Sequence, residues 1–288
     1  MNPITVLGAN GQVGRSLIEA AMARGIPVRA ATRESCDVTD PAAIARVTED
    51  ASLLVNCTAY TAVDKAESEA ELAFAVNATA PEQMARVCAA QGVPLVHIST
   101  DYVFDGSGDR PWREDDLTAP LGVYGRSKLA GETAVAEQLD RHVILRTSWV
   151  FSAHGANFVK TMRRLGATRP ELTVVDDQRG GPTAAADIAA AILTIAERIR
   201  GGSTAWGTYH YSGGPATTWC GFAKAILADV PAVTVRPIPT SAYPTPARRP
   251  LNSVLDCAKI ERAFGIAQPD WRPALDAVLA RLEAEPAA

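Results

Sequence analysis

A chain of 288 residues, 47% of them apolar, has material for a full hydrophobic core, and that composition excludes a disordered protein. Its 28 basic and 32 acidic residues leave a net charge of −4, which excludes a nucleic-acid surface built on bulk positive charge. Five cysteines without a CxxC spacing and four histidines without metal-ligand spacing argue against a disulfide framework or a metal site, and for free thiols in a reducing cytoplasm.

The amino terminus, MNPITVLGANG, carries no basic leader, and its apolar run reaches glycine within a few residues, the pattern of a soluble protein with no membrane partner. Strand-like runs follow at Ile4 to Leu7, Val28 to Ala31, Leu53 to Asn56, Leu95 to Ile98 and Val143 to Leu145. Between them, Ser16 to Arg24, Glu67 to Gln91 and Ser127 to Leu139 show helical periodicity. This alternation predicts an α/β fold over residues 1–150, a Rossmann-like doubly wound parallel sheet with helices on both faces.

Beyond residue 150 the pattern turns irregular, with a break at Gly180-Gly181-Pro182 and a Pro-rich stretch from Pro231 through Pro250. Ala184 to Arg200 reads as a strong helix that returns to the sheet. Residues 151–288 otherwise predict a smaller C-terminal substrate-binding lobe, its end fraying from Arg281.

Gly8, Asn10, Gly11, Gln12, Val13 and Gly14 lie in a turn that follows the first strand and opens a helix. Glycine there permits a sharp turn, close approach of backbone N–H groups to a pyrophosphate, and tight helix–strand packing. After the second strand, Thr32 and Arg33 stand where a carboxylate would bind the ribose hydroxyls of NAD and repel a 2′-phosphate. This favours NADPH and leaves NADH open, with a solvated loop arginine as the competing reading. Asp37 and Val38 are candidates for the adenine edge, and Ala59, Tyr60 and Thr61 for the pyrophosphate and nicotinamide ribose.

The fourth strand runs out through Ser99, Thr100 and Asp101, and Tyr124 precedes Lys128 by one helical turn. A free phenol, with a pKa near ~10, exchanges protons poorly at neutral pH unless a cation stabilises its anion. Lys128 is expected to supply that cation and to reach the nicotinamide ribose. Thr100 is expected to hold a substrate carbonyl against Tyr124, so that hydride and proton transfer are coupled.

The order of these motifs resembles the extended short-chain dehydrogenase/reductase superfamily. Five longer segments narrow the likeness: Thr58 to Glu67, Ser99 to Phe104, Val123 to Gly125, Arg146 to Val150 and Ala247 to Ser253. Over nearly its whole length the chain is similar to the dTDP-4-dehydrorhamnose reductase family. The resemblance implies NADPH-dependent reduction of the 4-keto group of dTDP-4-dehydro-L-rhamnose, with Tyr124 as proton donor, Lys128 as its cofactor-linked partner and Thr100 tuning the transfer. It also implies sugar-nucleotide contacts at Thr100 and Asp101, an aromatic platform at Trp149 for the C–H face of the hexose, and an apolar wall at Val63. Arg248 and Arg249 are candidates for the diphosphate, and Asn252, Asn157 and Lys160 for further polar contacts.

Some family members dimerise through magnesium held by glutamates, at positions that read Ser16 and Ala186 here. A neutral pair offers no carboxylate to a hard cation, so a monomer or a magnesium-independent dimer is expected. Alternative readings are a reductase or epimerase of another dTDP- or UDP-deoxysugar, and a regulatory subunit that binds NADP without catalysis.

Overall fold

Short aliphatic runs buried on both faces make the centre of a parallel sheet, because only helices laid on each side can cover them. In the computed structural model, which describes residues 2–284, β1 (Ile4–Leu7), β3 (Leu53–Asn56) and β5 (His142–Thr147) are buried at every position. They alternate with α1 (Gln12–Ala23), β2 (Val28–Ala31), α2 (Pro41–Thr48), α5 (Ala80–Gln91), β4 (Leu95–Thr100) and α6 (Val123–Gln138). Two short helices, α3 (Val63–Ala66) and α4 (Ala70–Phe74), lead into α5 through a π-helical turn at Ala75–Thr79.

The second half supplies β6 (Val150–Phe151), α7 (Phe158–Gly166), β7 (Glu171–Val175), β8 (Arg179–Gly180), β9 (Thr183–Ala184) and α8 (Ala185–Arg200). It continues with β10 (Gly207–His210), β11 (Thr217–Thr218), α9 (Trp219–Ile226), β12 (Thr234–Ile238), α10 (Ala258–Phe264) and α11 (Trp271–Ala284). The predicted α/β fold is the observed one. The main sheet runs β10-β5-β4-β3-β1-β2, all neighbours parallel, and three two-stranded sheets, β6-β9, β7-β12 and β8-β11, build the smaller C-terminal part.

The first three predicted strands match the observed ones to the residue, while β4 and β5 run further, to Thr100 and Thr147, and so carry hydroxyls to the sheet's carboxyl edge. The expected continuous helix from Glu67 to Gln91 is instead broken. Pro81, at the start of α5, has no N–H to offer the carbonyl of Asn77, and Gly131 of α6 closes on that carbonyl so tightly that a Cβ would sit 2.0 Å from it.

One side of the main sheet is covered by α1 and α8, whose Leu17, Ala21, Ile188 and Ile192 pack with Val6, Val55 and Val143. On the other, Met84, Cys88 and Val135 cover Leu7, Leu54, Leu95 and Ile144. The strand Gly207–His210 lies beside β5 in the main sheet, and Ile260 and Phe264 of α10 join the core beneath it, although both segments fall within the stretch read as the second lobe. A separate core of Phe151, Val159, Leu172, Phe222, Ile226 and Trp271 holds the smaller part together. Helix α11 stays helical through Ala284, and the rest of the tail expected to fray lies outside the described residues.

Candidate active site

The strand order reverses beside β1, which has β2 on one side and β3 on the other, so the loops leaving β1 and β3 diverge and open a crevice. Gly8 turns the chain out of β1 with φ +76°, and a Cβ there would lie 2.9 Å from the backbone of Cys57 and Thr58. At Gly14 a Cβ would fall 2.3 Å from the Gly8 carbonyl oxygen, so the turn closes only with glycine at both places. Gly11 begins α1 with no side chain capping it, which leaves the helix's first N–H groups and its positive end for an anion. The residues present fit a dinucleotide pyrophosphate.

Between this turn and the edge of β4 lies a cavity of about 640 Å3. It is bordered by Gly11, Gln12 and Val13 from the turn, Ala59 and Thr61 from the loop after β3, and Val63 at the start of α3. Thr100, Asp101, Tyr124, Lys128, Trp149 and Asn157 line the rest of the wall. Motifs spread over 150 positions of sequence thus converge on one space.

Helix α6 carries Tyr124 and Lys128 and is fixed at several points. The Glu67 carboxylate accepts the N–H of Val123 at 2.8 Å, and the buried Asn77 amide donates to Ser127 Oγ at 3.0 Å, which in turn donates to the Tyr124 carbonyl at 2.8 Å. Near its other end, Glu132 receives Arg146 of β5 through Nη2 at 2.7 Å, both side chains being almost wholly buried. A buried pair of this kind holds a helix in register, since breaking it strands a charge in the interior.

Burial pushes the Tyr124 phenol up to about 12; a hydrogen bond with Thr100 draws it down and the Asp101 charge raises it. Lys128 follows one helical turn later and borders the same cavity. Its ammonium is 2% exposed and donates to the Ile98 carbonyl at 2.7 Å, and burial brings Lys128 down to about 8 against the opposing pull of Glu132. Desolvation dominates both groups, and the buried ammonium takes the nearest backbone acceptor.

Thr100 Oγ1 donates to Asp101 Oδ1 at 2.9 Å and accepts the N–H of Tyr102 at 3.2 Å. Burial raises the Asp101 carboxyl to about 6, although the hydroxyls of Ser253 and Thr100 both pull it down. Tyr102 packs edge-on against Tyr124 with ring centres 5.5 Å apart.

Other expected contacts lie elsewhere. Thr32, Arg33, Asp37 and Val38 stand beyond the cavity, in the turns after β2; Arg33 is exposed, and the Asp37 carboxylate accepts Thr39 N–H and Oγ1, which hold it below the usual carboxylate range. Tyr60 hydrogen-bonds Glu69, and its backbone is clasped by Asn77. Arg249 pairs with Asp64 at 2.8 Å and borders a neighbouring cleft, while Arg248 is exposed and borders neither space. Asn252 is buried, its amide donating to the Arg110 carbonyl at 2.8 Å and accepting Val254 N–H at 3.2 Å. Its polar groups are used within the loop.

Asn157 caps α7 and donates to Gln12 Oε1 at 2.9 Å, linking the glycine turn to the smaller part. Lys160 donates to the Ala153 carbonyl at 3.2 Å. Sequence reasoning missed Trp219, which stacks on Trp149 with ring centres 3.6 Å apart and planes 9° from parallel. Its only signal was a pair of threonines before an aromatic, the pattern of a helix cap. Ser16 is buried and Ala186 exposed, and among the described residues no group of three or more His, Cys, Asp or Glu side chains could hold a metal ion.

A glycine cradle at the switch point of a parallel sheet, with a Thr, Tyr and Lys set on the facing wall, defines an oxidoreductase of the short-chain dehydrogenase/reductase class. Residues 1–284 match the family described as the RmlD substrate binding domain. The dTDP-4-dehydrorhamnose reductase of Sinorhizobium fredii is 46% identical over 277 residues, 93% of each chain, and that of Escherichia coli is 42% identical over 97% of each. Among solved structures, the reductase of Clostridium acetobutylicum superposes with a TM-score of 0.92 at 35% identity, covering 98% of this chain and 99% of that one. The Bacillus anthracis enzyme in complex with NADP gives 0.91 at 35%, covering 97% and 99%. The chain belongs to the RmlD family.

Proposed function

We infer that the chain reduces the 4-keto group of dTDP-4-dehydro-L-rhamnose to give dTDP-L-rhamnose. NADPH, when bound, supplies the hydride. The observation that carries this reading is the convergence of Tyr124, Thr100 and Lys128 on the wall of the cavity that the glycine turn borders.

Reduction needs an acid. At a pKa of about 12 the Tyr124 hydroxyl is protonated throughout the neutral range and ready to give its proton to the carbonyl oxygen. A developing alkoxide, whose parent alcohol is roughly as weak an acid as water at ~15.7, takes that proton downhill. Thr100, fixed by Asp101 and Tyr102, holds the phenol and orients the carbonyl. Lys128 brings positive charge to the same wall and stabilises the phenolate left behind. Gly8, Gly11 and Gly14 seat the pyrophosphate, and Thr32 and Arg33 take the 2′-phosphate at the end of β2, the reading on which NADPH is preferred over NADH. Trp149 and Val63 give the deoxysugar its apolar contact.

The test is ketone-dependent NADPH oxidation by the purified protein with dTDP-4-dehydro-L-rhamnose. The native chain turns the substrate over, and Tyr124→Phe loses about 10²- to 10⁴-fold in kcat while binding NADPH normally. Undiminished turnover in the variant, or a native chain that reduces only another ketone, would falsify the assignment.

A further inference from the structure

Beside the catalytic cavity lies a second cleft of about 490 Å3. Phe158, Met162, Leu172 and Val174 form its walls. Among the described residues Trp219 alone borders both spaces. The first hollow offers hydroxyl, carboxylate and phenol groups, and the second sets its aliphatic and aromatic surface beside Gln178 and Arg249, so together they suit a ligand with a sugar at one end and a flat, hydrogen-bonding heterocycle at the other.

Trp219 is held as a platform. It opens α9, whose first turn is capped by Thr218 Oγ1 accepting Gly221 N–H at 2.9 Å, and Phe158 packs against its indole at 4.7 Å from the cleft side. Toward the catalytic cavity it stacks on Trp149. Trp149 needs that support. Its φ is +48°, a conformation that side chains other than glycine rarely adopt, and its ring sits so close to Gly180 that a Cβ there would lie 2.5 Å from Cε2. With one indole face covered by Trp219, the shape that Trp149 presents to a sugar is set by its neighbour.

We propose that Trp219 is a specificity-determining residue, the shared wall of both cavities against which a single sugar nucleotide spanning them is packed. The proposal rests on the substrate reading above. It predicts a loss that falls on that ligand, since no residue of the glycine turn borders the second cleft.

The experiment compares native protein, Trp219→Ala, Trp219→Leu and Trp219→Phe by steady-state kinetics and by titration of the NADP-bound proteins with dTDP-L-rhamnose. Trp219→Ala is expected to raise the KM for the keto sugar and the Kd for the product roughly tenfold or more, with kcat within about threefold and the KM for NADPH unchanged. Trp219→Phe restores most of the loss, and Trp219→Leu, which keeps apolar bulk if the alanine variant does not fold, falls between. Unchanged sugar-nucleotide constants, or an equal weakening toward NADPH, would overturn the proposal. A native chain inactive on this substrate would instead sink the functional reading, and the two failures are distinct.

Discussion

Lys128 sets function against stability in a way that can be measured. The fold holds its pKa at about 8, against 10.5 for a free lysine, chiefly by burial. At about 1.4 kcal/mol per pKa unit, keeping this ammonium charged below pH 8 costs the native state about 3 kcal/mol. Lys128→Met removes that cost and also the bond to the Ile98 carbonyl, worth about 1 kcal/mol, so the variant should be more stable by about 2 kcal/mol at neutral pH. The sign follows from proton counts. Between about 8 and 10.5 the unfolded chain binds the proton and the folded chain does not, so native stability rises with pH there and the methionine variant gains nothing from this position. Its advantage is full below pH 8, vanishes within this window, and by about 10.5 has become a deficit of about 1 kcal/mol, the lost bond alone. Urea unfolding of both proteins without cofactor, across about pH 7 to 10.5, checks this. A variant less stable at pH 7, or a difference that stays flat over the window, refutes the reasoning. In the same samples reduction should fall by about 10² or more.

Gly14→Ala should abolish NADPH binding, measured by nucleotide fluorescence, because its Cβ would lie 2.3 Å from the Gly8 carbonyl oxygen and the cradle could not close. Glu132→Gln leaves Arg146 buried without its counter-charge and should lower unfolding free energy by about 3–5 kcal/mol, read by denaturant titration. Asp101→Asn probes the opposite sign from Lys128: a carboxyl raised to about 6 from 3.8 weighs on the native state above pH 6 and not below 3.8. The asparagine variant's advantage in thermal stability should therefore grow from near zero at about pH 4 to a ceiling of about 3 kcal/mol at about pH 7.

The alternation of apolar runs made the sheet legible because parallel strands buried on both faces, such as β1 and β3, leave an unmistakable mark; these two and the half-exposed edge strand β2 were read to the residue. The glycine turn and the Tyr124 and Lys128 pair were equally plain, since each depends on local spacing. What escaped depends on contacts far apart in the chain. Nothing near Gly207 says that its strand will lie beside β5, and nothing near Trp219 says that it will meet Trp149 across 70 positions. The π-helical turn before Pro81 was hidden for a related reason: its cause lies partly in Gly131 on another helix. Charge states were the least legible, because Tyr124 and Lys128 owe their shifts first to burial, a property of the assembled fold.

The late arrival of β10 has a consequence for how this protein is made. Its four residues close the sheet against β5, and α8 just before it shields the face that α1 and β1 begin. On a ribosome the nucleotide-binding half would emerge first, with one strand edge and one apolar flank bare; the flank would wait for α8, about fifty residues on, and the edge for β10, about sixty. An amino-terminal fragment ending near residue 150 keeps that bare edge permanently and invites intermolecular strand pairing, so the chain cannot be cut at the point where its sequence character changes.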